Sequence, residues 1–584
     1  MNEVALAQAP APRPRRRGIF LGLGIALAGL ACICVVAAVI FAVLDPFGWI
    51  ARLFGGGAGA ATAMPPDVPL YIGVDLARAR SEEVDRLIAT FAEATGSTLH
   101  DLDTVIEEAD DTMQAEIGMT ITEDVLPWIG QYAGIGLSDL QMNEFSGLER
   151  ADWVIAIEVR DRGGADAFLE RLREALADEQ GADFEESEYE GVTLYEFVSG
   201  STGEGALARS GSYVLIGSSA EALRTSIDAQ RGESLADTDA FRETSSRLPS
   251  DAILTAFVDV EEFAGLAQEA TDTPMWVSPL WGLQAGGLTG MGASASVIDV
   301  GVRFNGSILY DPEVMTETQL EAFEAGIDPL TIDRRFPEDT FFFLATRGLS
   351  TGWRDFEDNF AEDEAYADLA ESIRLLEDQI GIDLGDDLFA YLDGEIALGL
   401  GPSSEGLLPE MLEIRLGSLV LAETTQEEAL RTTIEILTDQ IPESEGLTVL
   451  QTTVGGVEAY QLADPFQQTT ALVYGVGEGS LFVATGTDLV EAAFAGGASL
   501  ADDETYRATW ASFPSGQIPT FYLDLEGLLG QIREGQAGFS LDDFNDSTDF
   551  LSPIRVIGAA ASLARDYTAQ STIVVFIEWL EPTQ

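Results

Sequence analysis

Ser234-Leu235-Ala236-Asp237 is followed by Phe241-Arg242, and Ser499-Leu500-Ala501-Asp502, 265 positions later, is followed by Tyr506-Arg507. The same offset carries Leu248-Pro249-Ser250 onto Phe513-Pro514-Ser515. It also carries Phe257-Val258-Asp259-Val260 onto Tyr522-Leu523-Asp524-Leu525. A register held over so many positions marks an internal repeat, and a repeat governs every later assignment. With small slips it extends both ways. Ile117-Gly118-Met119 and Trp128-Ile129 recur as Ile380-Gly381-Ile382 and Tyr391-Leu392. Ala293-Ser294-Ala295-Ser296-Val297 recurs as Ala559-Ala560-Ala561-Ser562-Leu563, and Met64-Pro65 opens one unit as Phe336-Pro337 opens the other. The sequence therefore predicts two tandem homologous units, 64–312 and 336–582. A connector, 313–335, separates them and carries a short helix from Glu317 to Ala325 stopped by Gly326.

Each unit reads as α+β. Trp153 to Val159 is an aliphatic strand, and Ala165, Leu169, Leu172 and Leu176 then follow helical spacing. The partners of those four, Leu430, Ile434, Leu437 and Ile441, are also apolar, so one helix face is written twice. Tyr213 to Ile216 and Leu481 to Ala484 read as buried strands. Helices containing Ala220 to Leu223 and Leu489 to Phe494 follow them. Phe341 to Leu344 and Ile396 to Leu400 add further strands. Strands outnumber the crossover helices that a parallel sheet needs, so the expected sheet in each unit is mainly antiparallel, with helices packed on it.

These features resemble a bacterial family named domain of unknown function 3352. The residues that carry the resemblance are the unit opening Met64-Pro65-Pro66-Asp67-Val68 and the Pro-x-Asp steps at Pro249 and Pro337. The Ile-Gly and Trp/Tyr segments, the doubled Ser-Leu-Ala-Asp and an apolar N-terminal segment complete it. The resemblance spans nearly the whole chain beyond that segment and implies no activity for any residue.

The apolar segment, Gly18 to Leu44, runs 27 residues without a charge. At ~1.5 Å per residue it is long enough to cross a ~30 Å hydrocarbon core. It is also about twice the apolar stretch of a cleaved signal peptide. Arg13, Arg15, Arg16 and Arg17 precede it, which predicts a cytoplasmic tail (1–17) and an uncleaved single-pass helix (18–44). Cys32 and Cys34, the two cysteines, lie within it. A juxtamembrane linker (45–63) follows, in which Gly55 to Ala63 reads as a flexible tether. The remainder is expected outside the cytoplasm, at the cell envelope.

Composition removes much chemistry. Of 584 residues, 100 are acidic and 30 basic, all of the latter arginine, for a net charge of -70. Without lysine there is no phosphate-binding P-loop, no Schiff base and no Ser-x-x-Lys nucleophile. One histidine, His100, cannot form a two-histidine zinc helix. His100 beside Asp101 reads as an exposed helical residue, because sequence neighbours on a helix do not face each other. An acidic field repels nucleic acid and anionic headgroups. Asp543 to Asp549 has alternating oxygen side chains, but Thr548 and Ile554 stand where a calcium loop needs glycine and glutamate. Asp355 to Asp368 reads as a solvated amphipathic helix. No catalytic residue, cofactor site or metal site is assigned.

One window breaks the acidity. Between Asp272 and Asp299 lie 26 residues without charge, including Met275, Trp276, Trp281 and Met291. Methionine and tryptophan suit adaptable apolar contacts, so these four form a candidate partner-binding patch. The competing account packs both tryptophans into the core. The expected function is a non-enzymatic, membrane-tethered binding or scaffold module with an envelope protein as partner. A carboxylate hydrolase and a carrier of an apolar ligand are the alternatives.

Overall fold

The computed structural model describes residues 58–143, 147–199, 203–260, 262, 287–315, 320, 329–350, 353–354, 367–404, 415–440, 448–464, 469–534, 549–564 and 566–579. The strands of the N-terminal half are β1 (Leu70–Asp75), β2 (Ile129–Asn143), β3 (Gly147–Val159), β4 (Asp183–Tyr189) and β5 (Val192–Ser199). Then come β6 (Gly203–Ser210), β7 (Tyr213–Gly217), β8 (Leu254–Asp259), β9 (Leu288–Ile298) and β10 (Gly301–Tyr310). The C-terminal half has β11 (Phe342–Arg347), β12 (Glu395–Pro402), β13 (Leu416–Glu423), β14 (Thr448–Val454) and β15 (Val457–Asp464). It continues with β16 (Thr469–Gly477), β17 (Ser480–Ala484), β18 (Ile518–Asp524), β19 (Ile554–Ala564) and β20 (Thr568–Ile577). Every pairing among the described residues is antiparallel, and the fold is mixed helix and antiparallel sheet, as the strand-rich pattern predicted.

Pairing runs β4-β5-β6-β7-β3-β2-β1-β8-β9-β10 in the first half. In the second half it runs β14-β15-β16-β17-β13-β12-β11-β18-β19-β20. The two orders are the same order. The halves join edge to edge where β10 pairs β20, giving one 20-stranded sheet. At the centre of that seam Asn305 faces Thr572, whose hydroxyl donates to Asn305 Oδ1 at 3.2 Å. Gly301 sits at the end of the seam with φ at +148°, where a Cβ would lie 1.9 Å from the Val575 carbonyl oxygen.

Helices cover both faces of the first half. On one face lie α1 (Glu82–Thr95), α2 (Leu102–Ile117) and α3 (Arg162–Gln180). Their apolar faces pack with Val74, Ile157 and Val214 of the sheet around Trp128. The predicted stripe Ala165, Leu169, Leu172 and Leu176 is buried there. On the other face lie α4 (Ala220–Ala229) and α5 (Asp239–Ser246), over Tyr71, Ala156 and Phe257. In the second half α6 (Ala367–Ile380) precedes β12. Further on, α7 (Glu427–Asp439) buries Leu430 and Ile434 on one face. On the opposite face α8 (Thr487–Phe494) and α9 (Glu504–Trp510) pack with Phe343 and Phe482. Finally α10 (Leu525–Glu534) joins a cluster shared between the halves, in which Leu87 and Val302 meet Leu529 and Val575. Arg86 lies 4.4 Å from the Trp579 ring centroid across the same boundary.

Two expectations are corrected. The tether reading ran to Ala63, but Ala58–Ala63 is a 3-10 helix in which Ala60, Ala61 and Ala63 are fully buried. Its small side chains let the backbone lie close against β2, where Gly134 meets the Ala60 methyl. His100 is exposed as expected, but it precedes α2 rather than lying in it. Asp101 is the helix cap, accepting the Thr104 N–H at 2.7 Å. The apolar segment 18–44, the rest of the linker, the acidic stretch 355–366 and most of the connector helix lie outside the described residues. So do Ile441 and Asp543 to Thr548.

Candidate functional site

The repeated Ser-Leu-Ala-Asp becomes a repeated local structure. Ser234 Oγ and N–H both donate to Asp237 Oδ2, at 2.7 and 3.0 Å. Ser499 does the same to Asp502, at 2.7 and 3.1 Å. The Ser hydroxyl, with the backbone N–H behind it, holds each carboxyl below its usual value. Leu235 N–H donates to Met64 O and Leu500 N–H to Phe336 O, so each motif ties down the opening of its own half. Beneath them lie matched aromatic stacks. Phe241 meets Phe257 edge-on at 5.3 Å, and Tyr506 meets Tyr522 edge-on at 5.0 Å. These motifs are structural.

Buried carboxylates are likewise held by internal partners. Glu395 accepts from the Thr331 and Ile332 N–H groups at 2.7 and 2.8 Å and pairs with Arg347. Asp124 pairs with Arg171 and accepts from Thr120 N–H. Burial raises the carboxyls of Asp333 and Asp524. Tyr506 OH donates to the first at 3.3 Å, and the second caps α10 through Gly527 N–H at 2.9 Å. Among the described residues no group of three or more His, Cys, Asp or Glu side chains is arranged to hold a metal.

Of the charge-free patch, Met275, Trp276 and Trp281 lie outside the described residues. Met291 is half-buried on β9, between Val258 of β8 and Ile308 of β10. The described end of that window is thus a central strand. Its Gly292 lets α5 approach: a Cβ there would meet Thr244 at 3.0 Å. Gly558 on β19 meets Thr509 of α9 in the same way, at 2.8 Å. Close helix-on-sheet packing accounts for the small, uncharged residues of this strand.

Sequence reading did not anticipate a recess at the far end of the second half. Arg431, Ile434 and Glu435 of α7 form one wall, and Gln451, Tyr460 and Val476 of β14, β15 and β16 form the floor. It is small, and its lining includes Glu458, which pairs with Arg431 at 3.4 Å. Tyr460 stacks on Tyr474 at 5.6 Å, and burial, with Glu435 nearby, raises its hydroxyl. The signal that could have found it is a difference between the halves. Arg173 and Arg209 stand where the second half has Thr438 and Val476.

The junction with the N-terminal segment is also built. Tyr213 OH donates to Gly59 O at 2.9 Å and lies 2.9 Å from Thr62 Oγ1, locking Ala58–Ala63 to β7.

A family model described as "Protein of unknown function (DUF3352)" matches residues 26–576. Two solved structures are similar over part of the chain. "Structure of crystal form III of TP0453" is 7% identical, covers 46% of this chain and 88% of its own, and has a TM-score of 0.23. "Structure of crystal form I of TP0453" is 9% identical, covers 43% and 79%, and has a TM-score of 0.21. At these scores neither bears on fold or function. No curated protein matches the chain.

Proposed function

The chain belongs to the DUF3352 family of proteins of unknown function, and from that premise we propose that it is a single-pass, membrane-anchored scaffold or binding module. Two tandem homologous units face outward at the cell envelope. The duplication is supported by the identical pairing order of the halves and by the matched Ser–Asp caps, aromatic stacks and glycine–threonine contacts. The anchor is supported by the 27 uncharged residues after an arginine cluster.

The observation that carries the scaffold reading is the way the fold spends its polar chemistry. Among the described residues its repeated motif and the buried carboxylates named above hold structure, while the sheet is extended to 20 strands. Such a sheet offers an extended surface, and among the described residues its outer strands, β4 and β14, each pair on one side alone. Residues 45–57 would link the anchor to the buried 3-10 helix. Fully extended at ~3.3–3.6 Å per residue, they reach about 45 Å. The module is therefore held close to the membrane.

The test is mass spectrometry of the native chain extracted from membranes. The proposal expects a specific protein partner in stoichiometric amount. A stoichiometric lipid with no protein partner would contradict it and favour a carrier.

A further inference from the structure

Each half opens with a 3-10 turn pressed against its own sheet, Ala58–Ala63 in the first and Ile332–Arg335 in the second. The openings correspond through Met64 and Phe336, each of which accepts a backbone N–H from the Ser-Leu-Ala-Asp motif of its half. The same spacing sets Ala61 against Asp333. In the first half Ala61 is fully buried and shares one apolar cluster with Phe241 of α5. In the second half both members of that apolar pair are exchanged together. Asp333 stands for Ala61 and Tyr506 of α9 for Phe241, and the Tyr506 hydroxyl donates to Asp333 Oδ2 at 3.3 Å.

The exchange continues around the turn. Arg347 of β11 faces Glu395 of β12 at the register where β1 and β2 have Asp75 and Tyr132. Glu395 is buried, bonds Arg347 at 2.5 Å and accepts the Thr331 and Ile332 N–H groups. Arg335 donates to Ser480 of β17 at 2.5 Å and lies 4.9 Å from the Phe494 ring centroid. Around the Asp333 carboxyl stand Arg334 of its own turn, Glu395 of β12 and Tyr506 of α9. Behind these, Asp502 lies near Arg334, and Tyr522 of β18 meets Tyr506. Burial acts most strongly on the carboxyl and raises it. The Tyr506 bond and the Arg334 charge oppose the rise, and the Glu395 charge adds to it. A titratable cluster thus occupies the entry to the second half, where the first half has alanine and phenylalanine.

We propose that the Ile332–Arg335 turn is a pH-sensitive joint, which seats the connector on the second half more firmly in mild acid than at neutral pH, with Asp333 as the group that takes up the proton. A buried carboxyl is more costly as an anion than as a neutral acid. The seated turn therefore holds a proton that the released turn, with Asp333 in water, gives up. A carboxyl raised on folding weakens the folded state above its folded value. That penalty is relieved as pH falls through the folded value toward the unfolded one of 3.8. The sign is opposite to that of the Ser-held carboxylates Asp237 and Asp502, which are lowered on folding. The inference goes beyond the scaffold reading and stands whether or not a partner binds. Only the exposure of the joint to the pH of the medium rests on the envelope placement.

The test follows amide hydrogen exchange in the full-length chain in detergent, from neutral pH to about pH 5, with each rate corrected for the intrinsic pH dependence of exchange. Wild type, Asp333→Asn and Tyr506→Phe are compared, the last carrying the first half's residue at that place. In wild type, protection of 331–336 should rise severalfold as pH falls. Protection of 59–64, the matching opening of the first half, should stay level. Asp333→Asn, which cannot take up the proton, should show no rise. Tyr506→Phe removes a bond to the ionised carboxyl, so its rise should begin at higher pH than in wild type. A level wild-type profile overturns the proposal, and so does an equal rise in Asp333→Asn or in 59–64. Should Asp333→Asn fail to fold, Tyr506→Phe decides, and a rise at the wild-type pH overturns the proposal.

Discussion

Ser234 and Ser499 each place one hydroxyl on one carboxylate, with nearly the same distances in both halves. Replacing either by alanine should cost about 1 kcal/mol, the usual loss for a capping hydroxyl. The two losses should be equal within error in urea denaturation. The caps also have a pH signature. Asp237 and Asp502 are held below the ordinary value of 3.8 in the folded chain. A carboxyl depressed on folding contributes stability that is complete above its unfolded value and lost as pH falls through the folded one. The difference between wild type and Asp237→Asn should therefore persist near neutral pH and close as pH drops below 3.8. A difference unchanged in acid would show that the carboxylate is not the group that matters. These residues were legible because a capping motif is local and its spacing is the same in both halves. The recess was not legible in the same way. Its lining comes from separate elements, α7, β14, β15 and β16, which only the folded chain brings together.

Among elements, Ala58–Ala63 departs most from its composition. Gly/Ala-rich sequence ordinarily predicts a flexible linker, and nothing in the residues themselves announces burial. Packing decides it: methyl-sized side chains allow the segment to lie against β2 and be clamped by Tyr213. Removing the Tyr213 hydroxyl with Tyr213→Phe should cost about 1 kcal/mol, the net value of a typical hydrogen bond. It should also increase proteolysis between residues 55 and 63. Unchanged proteolysis would mean that the clamp does not hold the segment. The helices α3 and α7 fared better in sequence, because a 3.6-residue apolar period needs only one covered face to be readable. The charge-free window was half legible. Its end became β9, whose lack of charge follows from a central position under α5.

At the scale of the whole molecule, the halves meet through their matching last strands, with Asn305 facing Thr572 on the seam. Pairing order across 20 strands lies beyond sequence reading, since it depends on contacts between distant segments. The sequence repeat and the shared pairing order of the halves agree with each other. Gly301 is the point on which the seam is most sensitive. Gly301→Ala should lower stability by about 1–3 kcal/mol, from backbone strain and overlap with the Val575 carbonyl. Calorimetry should then show the two halves unfolding less cooperatively. A variant as stable and cooperative as wild type would mean that the β10–β20 join is not required.

The central claim is that this folded body sits outside the cytoplasmic membrane on an N-terminal anchor. Beyond Cys34 the chain has no cysteine, so one introduced at exposed Glu504 reports its own location. Intact cells carrying Glu504→Cys are treated with a membrane-impermeant maleimide, and their membranes are then extracted with alkaline carbonate. The account predicts labelling of the full-length chain in intact cells and its retention in the membrane pellet. Labelling only after lysis, or release of the chain by carbonate, would contradict it.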